Sequence, residues 1–355
     1  RSTLDRSSAA SDVYKRQSLL FFGYFCRQYL HKFKNMNINP NSPVSISVVM
    51  CTYNGDKYLE QQIDSILCQT YPIHELIIQD DCSTDRTVTI IEAYQKRDPR
   101  VKLYINEAPL GFNYNFSSAF AKAEGEYIAS SDQDDIWRPD KIEILMNHAT
   151  NHSLLFHNSY LFTTDIQQTM GKKNKSNVLY NELYLLMKPY VPGHECFFHR
   201  NILPIFQQAV KQENNISYDS LLMLAAVVSG PIEFIDEGLV YWRRHPQATS
   251  YHTEQKYNAW EGLQTALKSL SNHSQRNVTK RYFQAVSNYP FRQKYTIRTI
   301  RYMKTGSIIG ILKACCVCCI QHKQLYPHTR FLQSCIKSFF TPLYFIRDCS
   351  KFAIH

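Results

Sequence analysis

Between Ser45 and Ala149 the chain repeats one pattern four times: a short β-rich apolar run, a polar break, then apolar residues at helical spacing. The first run is Ser45–Cys51, followed by a face of Tyr58, Leu59, Gln62, Ile63, Ile66 and Leu67. Leu76–Ile78 is the second and leads into Asp80 and Asp81, after which a Ser83/Thr84 cap opens a helix carrying Val88, Ile91 and Tyr94. Val101–Ile105 precedes a helix over Phe112–Ala123. Glu126–Ser131 runs straight into Asp132-Gln133-Asp134-Asp135, and Pro139 then suits the first turn of a helix that carries Ile142, Leu145, Met146 and Ala149. Strands separated by helices of this length need crossover connections. They predict an α/β fold, a mostly parallel central sheet with helices on both faces.

After about residue 151 the rhythm changes. Leu154–His157, Ile232–Ile235 and Leu239–Trp242 read as short strands, with Asp236-Glu237-Gly238 as a hairpin turn between the last two. From about Thr253 the text is helical, basic and aromatic. Net charge explains why this matters: the whole chain carries +10, yet residues 276–355 hold 14 Lys and Arg against a single acidic residue, Asp348. The rest of the chain is therefore slightly negative. A basic tail on such a body predicts that the tail meets something anionic and the body does not. Apolar residues (Ile308, Ile309, Ile311, Leu312, Phe339, Phe340) interleave there with Lys313, Lys337, Arg347 and Lys351, which suggests either an ordinary appendage with a solvated cationic face or a peripheral membrane contact, rather than nucleic acid.

Residues 1–35 read as adapter-like and upstream sequence, expected to be disordered, with Met36 a plausible start. No window reaches the apolar length of a transmembrane helix. Eleven cysteines without a cleavable signal point to reduced thiols and a cytoplasmic location. Cys315, Cys316, Cys318 and Cys319 with His322 lack a second pair at finger spacing, which disfavours zinc.

Ligands of open α/β sheets bind beyond the carboxyl ends of the strands, and every chemically suggestive cluster of the first half falls there. Cys51-Thr52-Tyr53-Asn54 follows strand one, Asp80-Asp81 strand two, and Asp132-x-Asp134-Asp135 strand four. Two carboxylates in one tight turn suit Mg²⁺ or Mn²⁺. A solvated turn is the bland alternative for Asp132 and Asp134, and a strand or helix cap the one for Asp80 and Asp81. At the end of a buried strand the cation reading of Asp132 and Asp134 gains weight.

Six segments in order resemble the glycosyltransferase family 2 proteins with their GT-A nucleotide-diphospho-sugar fold. They are Val48–Gly55, Gln79–Asp85, Leu110–Phe116, Ser131–Trp137 and the later Tyr218–Leu222 and Tyr241–His245 stretches, within a span of about Val44 to Ser250. The Asp-Gln-Asp-Asp-Ile-Trp form is similar to the rhamnosyltransferase-like branch. The resemblance implies an inverting, metal-dependent transfer of a sugar from a nucleoside diphosphate to a hydroxyl of a polysaccharide or lipid-linked glycan. Asp81 would hydrogen-bond the donor base, with Cys51, Thr52, Tyr53 and Asn54 lining the nucleotide pocket. Asp132 would face the ribose or the metal, and Asp134 would ligate a divalent cation, Mg²⁺ or Mn²⁺. Gly193 and His194 would border the sugar, and Arg244 or His245 would reach the diphosphate or metal. Asp219 would be the catalytic base, although the family more often shows His before that Asp and this chain has Tyr218.

The implied division is 44–150 as the nucleotide-sugar half, 151–252 as the acceptor half, and 253–355 as a basic helical appendage. Rival readings are a nucleotide-sugar-binding protein without transfer and a nucleotidyltransferase. The second is disfavoured because Cys51–Asp56 holds one Gly and no Arg where a Gly-rich basic phosphate loop is needed. A dinucleotide-dependent oxidoreductase lacks its Gly-x-Gly-x-x-Gly.

Overall fold

The computed structural model describes residues 44–173, 180–189, 191–213, 215–246 and 258–349. The expectation for residues 1–35 lies outside the described residues, as do Ser250, Thr253 and Lys351.

Eight strands form one sheet in the order β3-β2-β1-β4-β7-β6-β8-β5. The first four are β1 (Ile46–Thr52), β2 (Glu75–Asp80), β3 (Val101–Ile105) and β4 (Tyr127–Ser131), all parallel to one another. β1 and β2 are buried along nearly their whole length, which is why they read as continuous apolar runs. Within β1 the pleat sends Ile46, Val48 and Met50 into one core layer and Val49 into the other. The first layer packs α1 (Leu59–Leu67), α2 (Thr87–Gln95) and α4 (Lys141–His148) through Leu59, Ile63, Ile66, Ile91, Ile142 and Leu145. The second begins with Phe116, Ala119 and Phe120 of α3 (Gly111–Phe120). α2 starts later than the sequence suggested. Ser83 is drawn back to the Asp80 carboxylate, and Asp85 accepts from the Thr87 amide at 2.9 Å instead.

Beyond β4 the sheet turns mixed. β7 (Cys196–His199) is antiparallel to both β4 and β6 (Leu154–Phe162), and β8 (Ile232–Arg243) is parallel to β6, with β5 (Ile136–Trp137) antiparallel at the edge. The expected hairpin at Asp236–Gly238 is not formed. Residues 232–243 are one strand whose register against β6 slips on either side of Asn158, so that Asp236 and Glu237 bulge out. Gly238 lies so close to the Tyr160 ring that a Cβ would collide with it, and Asn158 Nδ2 holds Asp236 at 2.9 Å. Those two contacts turn a turn-like tripeptide into a bulge.

The helices α5 (Glu182–Met187), α6 (Leu203–Gln212) and α7 (Tyr218–Ser229) fill the second layer under β6 and β7. The C-terminal helices add to the same core: α8 (Ala259–Ser269), α9 (His273–Ala285), α10 (Lys294–Met303), α11 (Ile308–Ile320), α12 (His322–Leu325) and α13 (Phe331–Asp348). Phe283, Met303, Ala314 and Ile346 are fully buried there. Cys315 and Cys318 face this core while Cys316 is exposed, so the cysteine run presents no common ligand face.

Candidate active site

The chain leaves β1 for β2 on one side and returns through β4 on the other, so the topological switch point lies between β1 and β4. Cys51 and Thr52 end one strand there and Asp132 follows the other. Thr52 is buried and donates to Asp80 Oδ1 at 2.8 Å. Asn54 takes a left-handed φ of 47°, and its side chain accepts from the Thr84 amide at 2.8 Å. Tyr53 is exposed, and its backbone is clamped on both sides by Gln133: its N–H donates to Oε1 at 2.9 Å and its carbonyl accepts from Nε2 at 3.1 Å. The loops after β1 and β4 are therefore tied into one rim. Asp81 accepts from the backbone amides of Leu110 at 2.7 Å and Gly111 at 2.9 Å and from Asn106 at 2.8 Å. It organises the loop that opens α3, and it keeps lone-pair capacity toward the cleft. Burial, with Asp132 and Asp81 nearby, pushes the Cys51 thiol well above its ordinary range.

The Asp132–Asp135 turn splits its carboxylates. Donor atoms of Asp132, Asp135 and His194 converge within 4.8 Å, the one such cluster among the described residues. Asp132 is the more open, and its Oδ2 lies 3.2 Å from His194 Nδ1. Burial alone would lower the His194 imidazole; the Asp132 hydrogen bond and the Asp135 charge outweigh it and raise it. Asp135 is fully buried. Its Oδ1 accepts from the Arg243 amide at 3.0 Å, while its Oδ2 has no partner among the described residues. Burial pushes its carboxyl up to about 8, assisted by Asp134 and Asp132 and opposed by His194. Asp134 turns the other way, to His245 Nε2 at 2.7 Å, and burial followed by the Asp132 charge raises it too. His245 Nδ1 is again buried without a partner among the described residues.

This donor set fits a divalent cation. Carboxylate oxygens suit Mg²⁺ and Mn²⁺, an imidazole is acceptable to Mn²⁺, and an unpartnered buried oxygen on Asp135 asks for a positive neighbour. From sequence, Asp134 was the expected ligand beside Asp132; the cluster adds Asp135 and His194, and Asp134 stands next to it with His245.

The second half brings the rest. Gly193 opens a single 3-10 turn to Glu195; a Cβ on it would strike the Tyr218 hydroxyl, and its carbonyl accepts from Ser130 Oγ. Tyr218 stacks on Phe116 with ring centroids 4.2 Å apart, and its amide donates to Asn113 at 2.9 Å. These contacts seat the first turn of α7, hence Asp219, against α3. The Asp219 carboxylate accepts from the Ser220 amide at 2.7 Å and from Ser217 Oγ. Burial raises its pKa, the two hydrogen bonds oppose the shift, and Asp132 is close enough to add to it. Glu195, absent from the expected set, is fully buried against Ser159 Oγ at 2.8 Å.

Sequence reasoning also missed Arg243, mentioned only beside Arg244 and His245. Its guanidinium lies over Tyr58 at 4.3 Å and Phe162 at 4.5 Å, and it donates to the Asp134 carbonyl at 2.8 Å and Gln61 Oε1 at 2.8 Å. Arg244 instead lies over Trp242 at 4.5 Å. Lys141, fully buried over the Trp137 ring at 3.6 Å, donates to the His194 carbonyl at 3.2 Å, and burial lowers it to about 7. A buried lysine under the carboxylate cluster had no signal beyond its place on an otherwise apolar helix face.

Residues 47–204 match the family model described as glycosyl transferase family 2. A putative colanic acid biosynthesis glycosyl transferase, WcaA of Escherichia coli K12, is 33% identical over 46% of this chain and 55% of its own length. The putative teichuronic acid biosynthesis glycosyltransferase TuaG of Bacillus subtilis 168 is 37% identical over 31% of this chain and 44% of its own. An uncharacterized glycosyltransferase of Haemophilus influenzae Rd is 29% identical over 62% of this chain and 72% of its own. Among solved structures, S. aureus TarS in complex with UDP-GlcNAc superposes with a TM-score of 0.51 at 14% identity, covering 86% of this chain and 91% of that one. That likeness is one of fold, and the fold is GT-A. It is to glycosyl transferase family 2 that the stretch carrying the rim and the carboxylate turn, residues 47–204, is similar.

Proposed function

We propose that the protein is an inverting, metal-dependent glycosyltransferase, moving a sugar from a nucleoside diphosphate to a hydroxyl of a polysaccharide or lipid-linked glycan at the cytoplasmic face of a membrane. The observation that carries this reading is the convergence of Asp132, Asp135 and His194 at the switch point of the sheet, with the Asp219 carboxyl close enough to feel the Asp132 charge. The biosynthetic names of WcaA and TuaG support a polysaccharide acceptor, and the branch resemblance suggests rhamnose as the sugar.

Asp132, Asp135 and His194, with Asp134 and His245 beside them, would hold the cation. Bound there, a divalent cation supplies Lewis-acid stabilisation of the departing diphosphate. Thr52, Tyr53, Asn54 and the Cys51 region line the nucleotide end, and Asp81 offers its remaining lone pairs to the base. Gly193 keeps the wall thin beside the sugar, and Arg244 or His245 reaches the diphosphate. Asp219 takes the proton of the acceptor hydroxyl as that oxygen bonds to the anomeric carbon. The bond from that carbon to the phosphate oxygen breaks with its electron pair on the diphosphate. One base suffices, because a diphosphate leaves without the acid a glycosidase needs.

A panel of nucleoside-diphosphate sugars, rhamnose donors included, tests the reading by acceptor-dependent release of nucleoside diphosphate with Mn²⁺ or Mg²⁺. Nucleotide-sugar binding without release under any acceptor would favour a binding protein instead.

A further inference from the structure

The C-terminal helices bury one face in the core and leave a second apolar face uncovered. On α11, Ile309, Leu312, Cys316 and Ile320 recur at three- and four-residue steps and are exposed, while Ile311, Ala314, Cys315 and Cys318 face inward. At the start of α13, Phe331, Leu332 and Ile336 are exposed in the same way. Two contacts join the patches: the Cys319 thiol lies close to that of Cys335 across the helix pair, and the His322 and Phe331 rings meet at 5.1 Å. Ile320 is 75% exposed, Phe331 71%, Leu332 69% and Ile309 68%, so these side chains stand almost wholly in water. Single exposed apolar residues are ordinary on a protein surface; a joined set of them is an interaction site.

The charges around the set indicate what it meets. Lys313 and Lys337 flank it on the two helices, and Lys323 and Arg330 sit in the connection between them. Arg298, Arg301 and Lys304 are exposed on the adjoining α10. From Arg276 to Arg347 there is no acidic residue, and Asp348, at the end of α13, offsets only Arg347, with which it pairs at 2.7 Å. A surface built only for solubility mixes both signs. A second copy docking face to face would set like charges against each other, and nucleic acid would have no use for exposed isoleucines.

We propose that this face docks on an anionic lipid bilayer. Ile309, Ile320, Phe331 and Leu332 enter the boundary between headgroups and acyl chains, and the flanking Lys and Arg meet lipid phosphates. Among the described residues no helix is long and apolar enough to cross a membrane, so the contact is interfacial. This inference is independent of the donor, metal and base assignments, and its test needs no sugar donor.

The full chain is mixed with vesicles of phosphatidylcholine alone and of phosphatidylcholine with phosphatidylglycerol, and binding is read by flotation. The expected result is binding to the phosphatidylglycerol vesicles only, weakened by salt. Lys313→Gln and Lys337→Gln each lower partitioning about fivefold. Combining Ile320→Ser, Phe331→Ser and Leu332→Ser lowers it at least about tenfold, with melting temperature unchanged because all three side chains are exposed. Ile320→Trp provides a check that does not depend on loss of binding, with fluorescence shifting to the blue only on anionic vesicles. Absence of vesicle binding, equal binding to both compositions, or wild-type binding by the triple serine variant overturns the proposal. A dimer in solution that the triple variant dissolves overturns it in favour of self-association.

Discussion

Two groups of aspartates leave the same edge of the sheet and meet opposite conditions. Asp80 and Asp81, after β2, are served by protein donors: Thr52 Oγ1 at 2.8 Å and Ser83 for the first, two loop amides and Asn106 for the second. Asp134, half-buried, and Asp135, fully buried, stand after β4 beside like charges, and one Asp135 oxygen has no partner among the described residues. The difference teaches how position in the sheet divides labour. Carboxylates whose lone pairs are taken by loop amides build the rim. Those held in the interior without enough donors stay in a state that a cation would relieve.

The largest effect expected concerns a half-buried carboxylate of the second half, Asp219. Asp219→Asn should lose about 10²–10⁴-fold in turnover, with nucleotide affinity and melting temperature nearly unchanged. Because burial raises the Asp219 pKa, wild-type turnover should fall as pH drops through that raised value, and the variant's acidic limb should flatten. A variant with normal turnover and a lowered melting temperature would leave Asp219 as a helix cap.

The carboxylate turn comes next. Asp135→Asn or Asp134→Asn should weaken Mn²⁺ binding by about 10–100-fold, measured by calorimetry. The sign with pH follows from the buried carboxyl. Asp135 holds its proton up to about 8 in the folded protein and up to about 4 unfolded. The metal-free protein should therefore lose stability as pH rises between those values, and Mn²⁺ should recover it by displacing the proton. A melting temperature flat across that window, with or without the cation, would remove Asp135 from the proposed site.

Smaller effects distinguish the rim. Asp81→Ala should cost about 1–3 kcal/mol, because the Leu110 and Gly111 amides lose their acceptor. Its nucleotide affinity should drop as well if the base also binds there, and a stability loss alone would place Asp81 wholly on the structural side of the comparison. Arg243→Met should cost a similar amount through the Asp134 carbonyl and Gln61, and calorimetry should show weaker Mn²⁺ binding as the turn loosens.

How much of this was legible in the sequence follows from how local each signal is. β1, β2 and β4 were readable because burial on both faces leaves unbroken apolar runs, and their acidic ends follow directly. The α2 start moved because Ser83 is taken by Asp80, a contact no capping pattern reveals. The convergence of Asp135 and His194 with Asp132 was hidden for a different reason. They are brought together by β4 and the turn before β7, and which of two adjacent aspartates points inward depends on Arg243 from a third strand. The bulge in β8 was hidden because the ring that forces it, Tyr160, belongs to another strand.

That bulge also sets a rule for length changes. Along β8 the pairing offset against β6 passes from Ile235 opposite His157 to Gly238 opposite Asn158 and then Val240 opposite Ser159. Residues opposite one another share a face, so the slack in the bulge is what lets Trp242 stand opposite Leu161 and Arg243 opposite Phe162. A deletion that the bulge absorbs leaves both in place. A one-residue deletion that it does not absorb slides the strand by one, bringing Arg244 to the place of Arg243 and moving Arg243 to that of Trp242, away from the Asp134 carbonyl.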